Sequence, residues 1–142
     1  MRALLDIGVL LALLDSDHLQ HQAGRQWFER EVRHGWASCA VTQNGFIRIL
    51  SQPSYPSPVS PGKAMQLLAL ATSSEHHQYW PSDISILDET IFDRARIHGP
   101  KQVTDAYLLG LAAHHGGRFV TFDRGIATAA VRTAGPDNLV VL

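Results

Sequence analysis

Only one cysteine, Cys39, occurs among the 142 residues. No intramolecular disulfide and no cysteine-rich zinc site can form, and a lone thiol fits a reducing compartment. An excess of one charge is also missing. Twelve Lys and Arg face thirteen Asp and Glu, a formal net charge of −1 with neutral histidines. A protein that coats nucleic acid through bulk positive charge is thereby excluded, although a local basic patch is not. Long apolar runs are absent. The longest near the start, Ile7–Leu14, is too short to span a bilayer. Only Arg2 precedes it, Asp6 interrupts it, and no small-residue cleavage site follows. The expectation is a cytoplasmic protein with no membrane segment and no targeting segment. There is no internal repeat and no glycine-rich phosphate loop after the first strand.

What is present suits one compact domain spanning residues 1–142. The composition is 45% hydrophobic, 8% aromatic and 18% charged, which excludes disorder, collagen-like repeats and coiled coil. A chain of this length buries roughly 68–70% of its unfolded surface, enough for a self-sufficient core.

Periodicity divides the chain into alternating strands and helices. Ala3–Asp6 reads as a buried strand followed by a helical turn through Val9–Leu14. Ser16 or Asp17 is placed to cap a second helix that turns Trp27, Phe28 and Val32 inward and stops at Gly35. Trp36–Cys39 is a second strand, and Thr42 is expected to cap a helix with Phe46, Ile49 and Leu50 inside. Four prolines mark 51–61 as a loop, and Ser60-Pro61 is a helix start with proline at its first position. That helix runs to about Ser73. Gln78–Trp80 is a weak strand. Leu87 to about Ile97 reads as a helix ended by Gly99-Pro100. Thr104 is expected to cap another helix, ended by Gly116-Gly117. Arg118–Phe122 is a strand, Asp123 is placed to cap a helix after it, and Asn138–Leu142 is a last strand. The alternation predicts an α/β fold, a sandwich with a mainly parallel central sheet.

In such a sheet the carboxyl ends of the strands and the helix N-termini share one edge, where open α/β sheets bind ligands. Asp6, Gln43, Asp105 and Asp123 all fall on that edge. Asp105 and Asp123 can each be read as helix-start acids that gain from the dipole. Asp6 is harder to dismiss, because it interrupts an apolar run where a carboxylate is costly unless paired or metal-bound. Three carboxylates converging on one edge repel one another and invite a cation. Hard oxygen donors suit Mg²⁺ or Mn²⁺, whose natural chemistry there is metal-assisted phosphodiester hydrolysis.

Four blocks carry a resemblance: Arg2–Asp6 with Val9-Leu10, Val41–Arg48, Thr104–Leu108 and Thr121–Gly125. In order and spacing they resemble the PIN-domain ribonucleases, and more closely the VapC-type toxins of toxin–antitoxin pairs, over essentially the whole chain. The resemblance implies a three-layer α/β/α sandwich, Mg²⁺-dependent endoribonuclease activity, inhibition by a cognate VapB-type antitoxin and a homodimer. It maps the family's acids onto Asp6, Asp105 and Asp123, as catalytic and metal-binding residues. Two positions depart from the pattern. Gln43 stands where many members carry glutamate, and Gly8 where many carry a small polar residue, often asparagine. Gln43 keeps the shape of glutamate with one less negative charge. Gly8 has no side chain with which to hold Asp6. These departures define an alternative reading, a PIN-fold module that binds RNA or antitoxin with weakened catalysis.

Arg48 and Arg124 are candidate phosphate contacts, with Lys101 and Arg118 as weaker members of the same patch. Each also reads as a solvated surface cation. Thr121 is a candidate outer support for the metal. The eight histidines suggest zinc, but the pairs His76-His77 and His114-His115 are adjacent, which is expected to point their side chains apart, and no acid or cysteine completes a set with them. They are read as surface histidines. Trp27, Phe28, Phe46 and Phe92 are read as core or partner contacts, and Cys39 as a buried small hydrophobe.

Overall fold

The computed structural model describes all residues from Met1 to Leu142. Five strands carry the fold: β1 (Ala3–Leu5), β2 (Trp36–Ser38), β3 (His77–Tyr79), β4 (Arg118–Thr121) and β5 (Leu139–Val141). All pairings are parallel, in the spatial order β3-β2-β1-β4-β5. The helices are α1 (Ile7–Leu14), α2 (His21–Glu31), α3 (Ala40–Ser51), α4 (Pro61–Thr72) and α5 (Pro100–His114).

The three central strands, β2, β1 and β4, are buried on both faces because neighbouring residues along them feed opposite cores. Ala3, Leu5, Trp36 and Val120 pack with Val9 and Leu10 of α1, Trp27 of α2, Phe46 of α3 and Leu68 of α4. Leu4, Ala37 and Phe119 pack on the other side with Leu108, Leu109 and Ala112 of α5 and with Trp80, Phe92 and Val131. This is the expected α/β/α arrangement. Cys39 is fully buried, and Trp27, Phe46 and Phe92 lie in the cores as read from the sequence.

Several element boundaries differ from the sequence reading, each for a local reason. α2 begins at His21 with Gln20 before it, so neither Ser16 nor Asp17 is its cap. α3 begins after Cys39. Thr42 sits three residues in, where its hydroxyl accepts from the Cys39 amide, 3.0 Å. Ser60 and Pro61 open α4 as expected, the Ser60 hydroxyl accepting from the Lys63 amide at 3.1 Å. The stretch from Leu87 to Ile97 is not an α-helix and holds only one short 3-10 turn, Arg94–Arg96. Asp88 accepts from the Thr90 amide at 2.9 Å and Asp93 from the Ala95 amide at 3.1 Å. Asp88 thereby closes a turn that competes with a helix, and Asp93 caps the short 3-10 turn after it. Phe92 then bridges to Val131. α5 starts earlier than Thr104, with Pro100 as its first residue and Gly99 before it.

Candidate active site at the carboxyl edge of the sheet

β1 and β4 are neighbours at the centre of the sheet, and the chain reaches them from opposite halves of the sequence. The crevice beyond their carboxyl ends is where such a sheet leaves room for a ligand. Asp6 follows β1 directly. Its amide continues the pairing by donating to the Val120 carbonyl, 3.0 Å, so its backbone is fixed as firmly as the strand. Its side chain is held twice. One carboxylate oxygen accepts from the Ile7 amide at the start of α1, 2.8 Å, and the other from the Thr121 hydroxyl, 2.7 Å. Gly8 is therefore not needed to position Asp6. A side chain at Gly8 would meet only open space.

Thr121 is fully buried and serves both central acids. Its oxygen donates to Asp6 and accepts from the Asp123 amide at 3.0 Å. Asp123 caps no α-helix, contrary to the sequence reading. Its carboxylate accepts from the Gly125 amide, 2.7 Å, which closes a tight turn and leaves the side chain exposed. Asp105 approaches from the second turn of α5, half-buried. Burial, then the negative charges of Asp6 and Asp123, then a hydrogen bond shared with Asp123 push its carboxyl up to about 6. Burial also raises Asp6, and the charge of Asp123 adds to this. The hydrogen bonds from Thr121 and Ile7 oppose the rise. Three carboxylates from three elements thus stand close enough to perturb one another, and their ionised forms disfavour one another. A hard divalent cation fits such a donor set and would relieve the repulsion.

Beside them lies a cleft of about 200 Å³ walled by Asp105, Asp123, Arg96, Lys101 and Gln102, among others. Arg96 is a cleft residue that the expected helix over 87–97 does not single out. Its cationic spacing three residues from Asp93 was the available signal, and the two pair at 3.3 Å. Lys101 was a weaker candidate and is found on the wall. Arg48 and Arg124 are exposed and do not line this cleft. Arg118 is excluded from the patch. It stands at the start of β4, the opposite edge of the sheet, where it pairs with Glu31 at 2.8 Å and lies over the Trp27 ring at 5.5 Å. Gln43 reaches the correct edge, but its amide nitrogen donates to the Ser38 hydroxyl, 3.0 Å, rather than to an acid.

One histidine expectation is overturned. His114 and His115 do not diverge without an acid partner, because Asp83 meets both. His114 ends α5 and His115 follows it as the helix unwinds, so the usual spacing between consecutive side chains does not hold.

Comparison with known proteins agrees with this geometry. Residues 3–132 match the PIN domain family. The chain is 57% identical to Ribonuclease VapC44 of Mycobacterium tuberculosis over 142 residues, which is 100% of both chains. It is 39% identical to Ribonuclease VapC39 of the same species over 131 residues, 92% of this chain and 94% of that one. Its fold is similar to that in the crystal structure of VapBC2 from Rickettsia felis bound to a DNA fragment from their promoter. The TM-score is 0.65 at 10% identity, covering 100% of this chain and 99% of that one. Mycobacterium tuberculosis VapC20, described as a sarcin-ricin loop cleaving toxin, gives a TM-score of 0.62 at 11% identity, covering 94% and 99%. The chain belongs to the PIN domain family and, within it, to the VapC-type endoribonuclease toxins.

Proposed function

We propose that residues 1–142 act as one PIN-like domain that hydrolyses RNA phosphodiesters with Mg²⁺, or Mn²⁺ in its place, held by Asp6, Asp105 and Asp123. The observation that carries this reading is the nearness of three carboxylates at the carboxyl edge of the sheet, one of them pushed up to about 6 by burial and by the charges of the other two. When bound, the cation lowers the pKa of a water and neutralises charge developing on the phosphate. The chain's own residues do the positioning. Thr121 aims Asp6 and anchors the backbone of Asp123, and the Gly125 amide fixes the Asp123 carboxylate. Lys101 and Arg96, on the cleft wall, hold the phosphate next to the scissile bond, and Arg48 and Arg124 take phosphates further along the strand. Gln43, tied to Ser38, supports the metal's water rather than the metal.

The proposed partner is a VapB-type antitoxin. An apolar hollow of about 420 Å³ between α1 and α2 supports this, lined by Leu10, Leu13, Leu14 and Phe28. An antitoxin arginine reaching the acidic edge would compete with the metal. Homodimerisation and a cytoplasmic location rest on the family and on the single reduced thiol.

The test is incubation of the purified chain with structured RNA in Mg²⁺, Mn²⁺ or EDTA. Cleavage is expected with either ion and none with EDTA. Asp105→Asn should remain folded and lose at least about 10–100-fold in activity, the range for removing a group one layer further from a metal. Full activity of Asp105→Asn at limiting Mg²⁺ would overturn the assignment.

A further inference from the structure

A second set of metal-binding side chains stands at the other end of α5. Asp83, His114 and His115 bring one ligand atom each to within 4.8 Å of the other two. The His115 Nε2 is 3.0 Å from Asp83 Oδ1, and the His114 Nε2 is 3.6 Å from Asp83 Oδ2. The imidazole rings are perpendicular, with centroids 5.2 Å apart. Bonds of about 2.0–2.2 Å to a tetrahedral ion would set its ligand atoms roughly 3.4 Å apart. The two observed contacts, which run to different oxygens of the Asp83 carboxylate, lie within about half an ångström of that value.

Two independent features prepare the cluster. His115 is not a free surface ring. It lies flat on Trp80, at 4.7 Å and 11° between planes. Trp80 is itself buried, and its indole N–H donates to the Gln78 side chain at 2.9 Å. The ring orientation is thus fixed before any ion arrives. In addition, the cluster sits where α5 ends, and the unpaired carbonyls of a helix C-terminus favour positive charge. Nine and ten residues of helix separate it from Asp105, about 14–15 Å. It is therefore not an extension of the acidic edge.

We propose that Asp83, His114 and His115 form a transition-metal site of the zinc class. Two imidazole nitrogens and one carboxylate oxygen select Zn²⁺ over Mg²⁺ and leave the fourth position to water. An ion there clamps the segment following β3 onto α5. That segment already runs along the helix, with the Tyr107 hydroxyl donating to the Ile84 carbonyl at 3.1 Å.

The experiment is calorimetric titration of the full chain, and of Asp105→Asn beside it, with ZnCl₂ in excess Mg²⁺ added to compete for the acidic edge. One zinc per chain is expected. His114→Ala and Asp83→Asn change exposed side chains, so both should fold, as checked by circular dichroism. Each should weaken zinc binding at least about tenfold, as losing a direct ligand costs no less than losing an outer support. Co²⁺ should give the visible bands of a tetrahedral ion in wild type and in Asp105→Asn, and lose them in His114→Ala. The Asp105→Asn arm separates this site from the acidic edge, whose own test is RNA cleavage. Absence of zinc binding, equal binding by wild type and His114→Ala, or loss of the bands in Asp105→Asn would each overturn the proposal.

Discussion

Asp105 gives the clearest consequence of a single side chain. Its carboxyl holds a proton up to about pH 6 in the folded chain, against an ordinary value of 3.8. Between those values the folded state binds more protons than the unfolded one, so stability falls as pH rises. The loss is complete above the folded value. Without divalent ions, the melting temperature of wild type should therefore decline from about pH 4 to about pH 6.5 more steeply than that of Asp105→Asn. Millimolar Mg²⁺ should recover the difference near neutral pH by binding the ionised folded site. Equal slopes in both proteins would remove Asp105 from the cluster. Gln43 makes the opposite kind of test, since it lacks a charge. Gln43→Glu should lower the Mg²⁺ concentration for half-maximal cleavage, because hard cations follow ligand charge. Gln43→Ala should raise it or leave it unchanged. The bond from Gln43 to Ser38 means that glutamate must first turn from that hydroxyl. Identical midpoints in all three proteins would show that the side chain never meets the ion or its water.

Among the elements, the turn between α5 and β4 leaves no room for a side chain. A Cβ on Gly117 would stand 2.6 Å from the Arg2 carbonyl oxygen and 2.6 Å from the Trp80 ring. Neither can yield, since one is backbone and the other is packed. Gly117→Ala should cost about 1–3 kcal/mol, the usual price of overpacking. At about 2–4 °C per kcal/mol for a chain near this size, thermal unfolding would register it easily. An unchanged melting temperature would mean that the turn has slack. The same region shows what the sequence could and could not reveal. Asp6, Asp105 and Asp123 were legible because strand ends and helix starts share an edge in any parallel sheet, whatever the detailed boundaries. α5 begins five residues before the position read from Thr104, which puts Asp105 in its second turn and still on the cleft wall. The turns at Asp88 and Asp93 were hidden by an apolar spacing that suits a helix, since side-chain competition for backbone amides leaves no periodic mark. Arg96 was lost with them. The meeting of Asp83 with His114 and His115 was equally silent, because 31 and 32 residues separate the partners and tertiary contacts, Trp80 on His115 and Tyr107 on Ile84, bring them together.

For the molecule as a whole, the order of the strands matters more than any one of them. β1 is made first and lies in the middle, flanked by β2 on one side and by β4 on the other. The hydroxyl that holds Asp6 comes from Thr121, 115 residues later. Synthesis at roughly 5–20 residues per second puts about 6–23 s between the emergence of these two residues. Throughout that interval one edge of β1 has no partner, Asp6 lacks a support and the acidic edge lacks Asp123. A ribosome making this chain thus carries a nuclease that stays incomplete until Thr121 and Asp123, within its last two dozen residues, are joined.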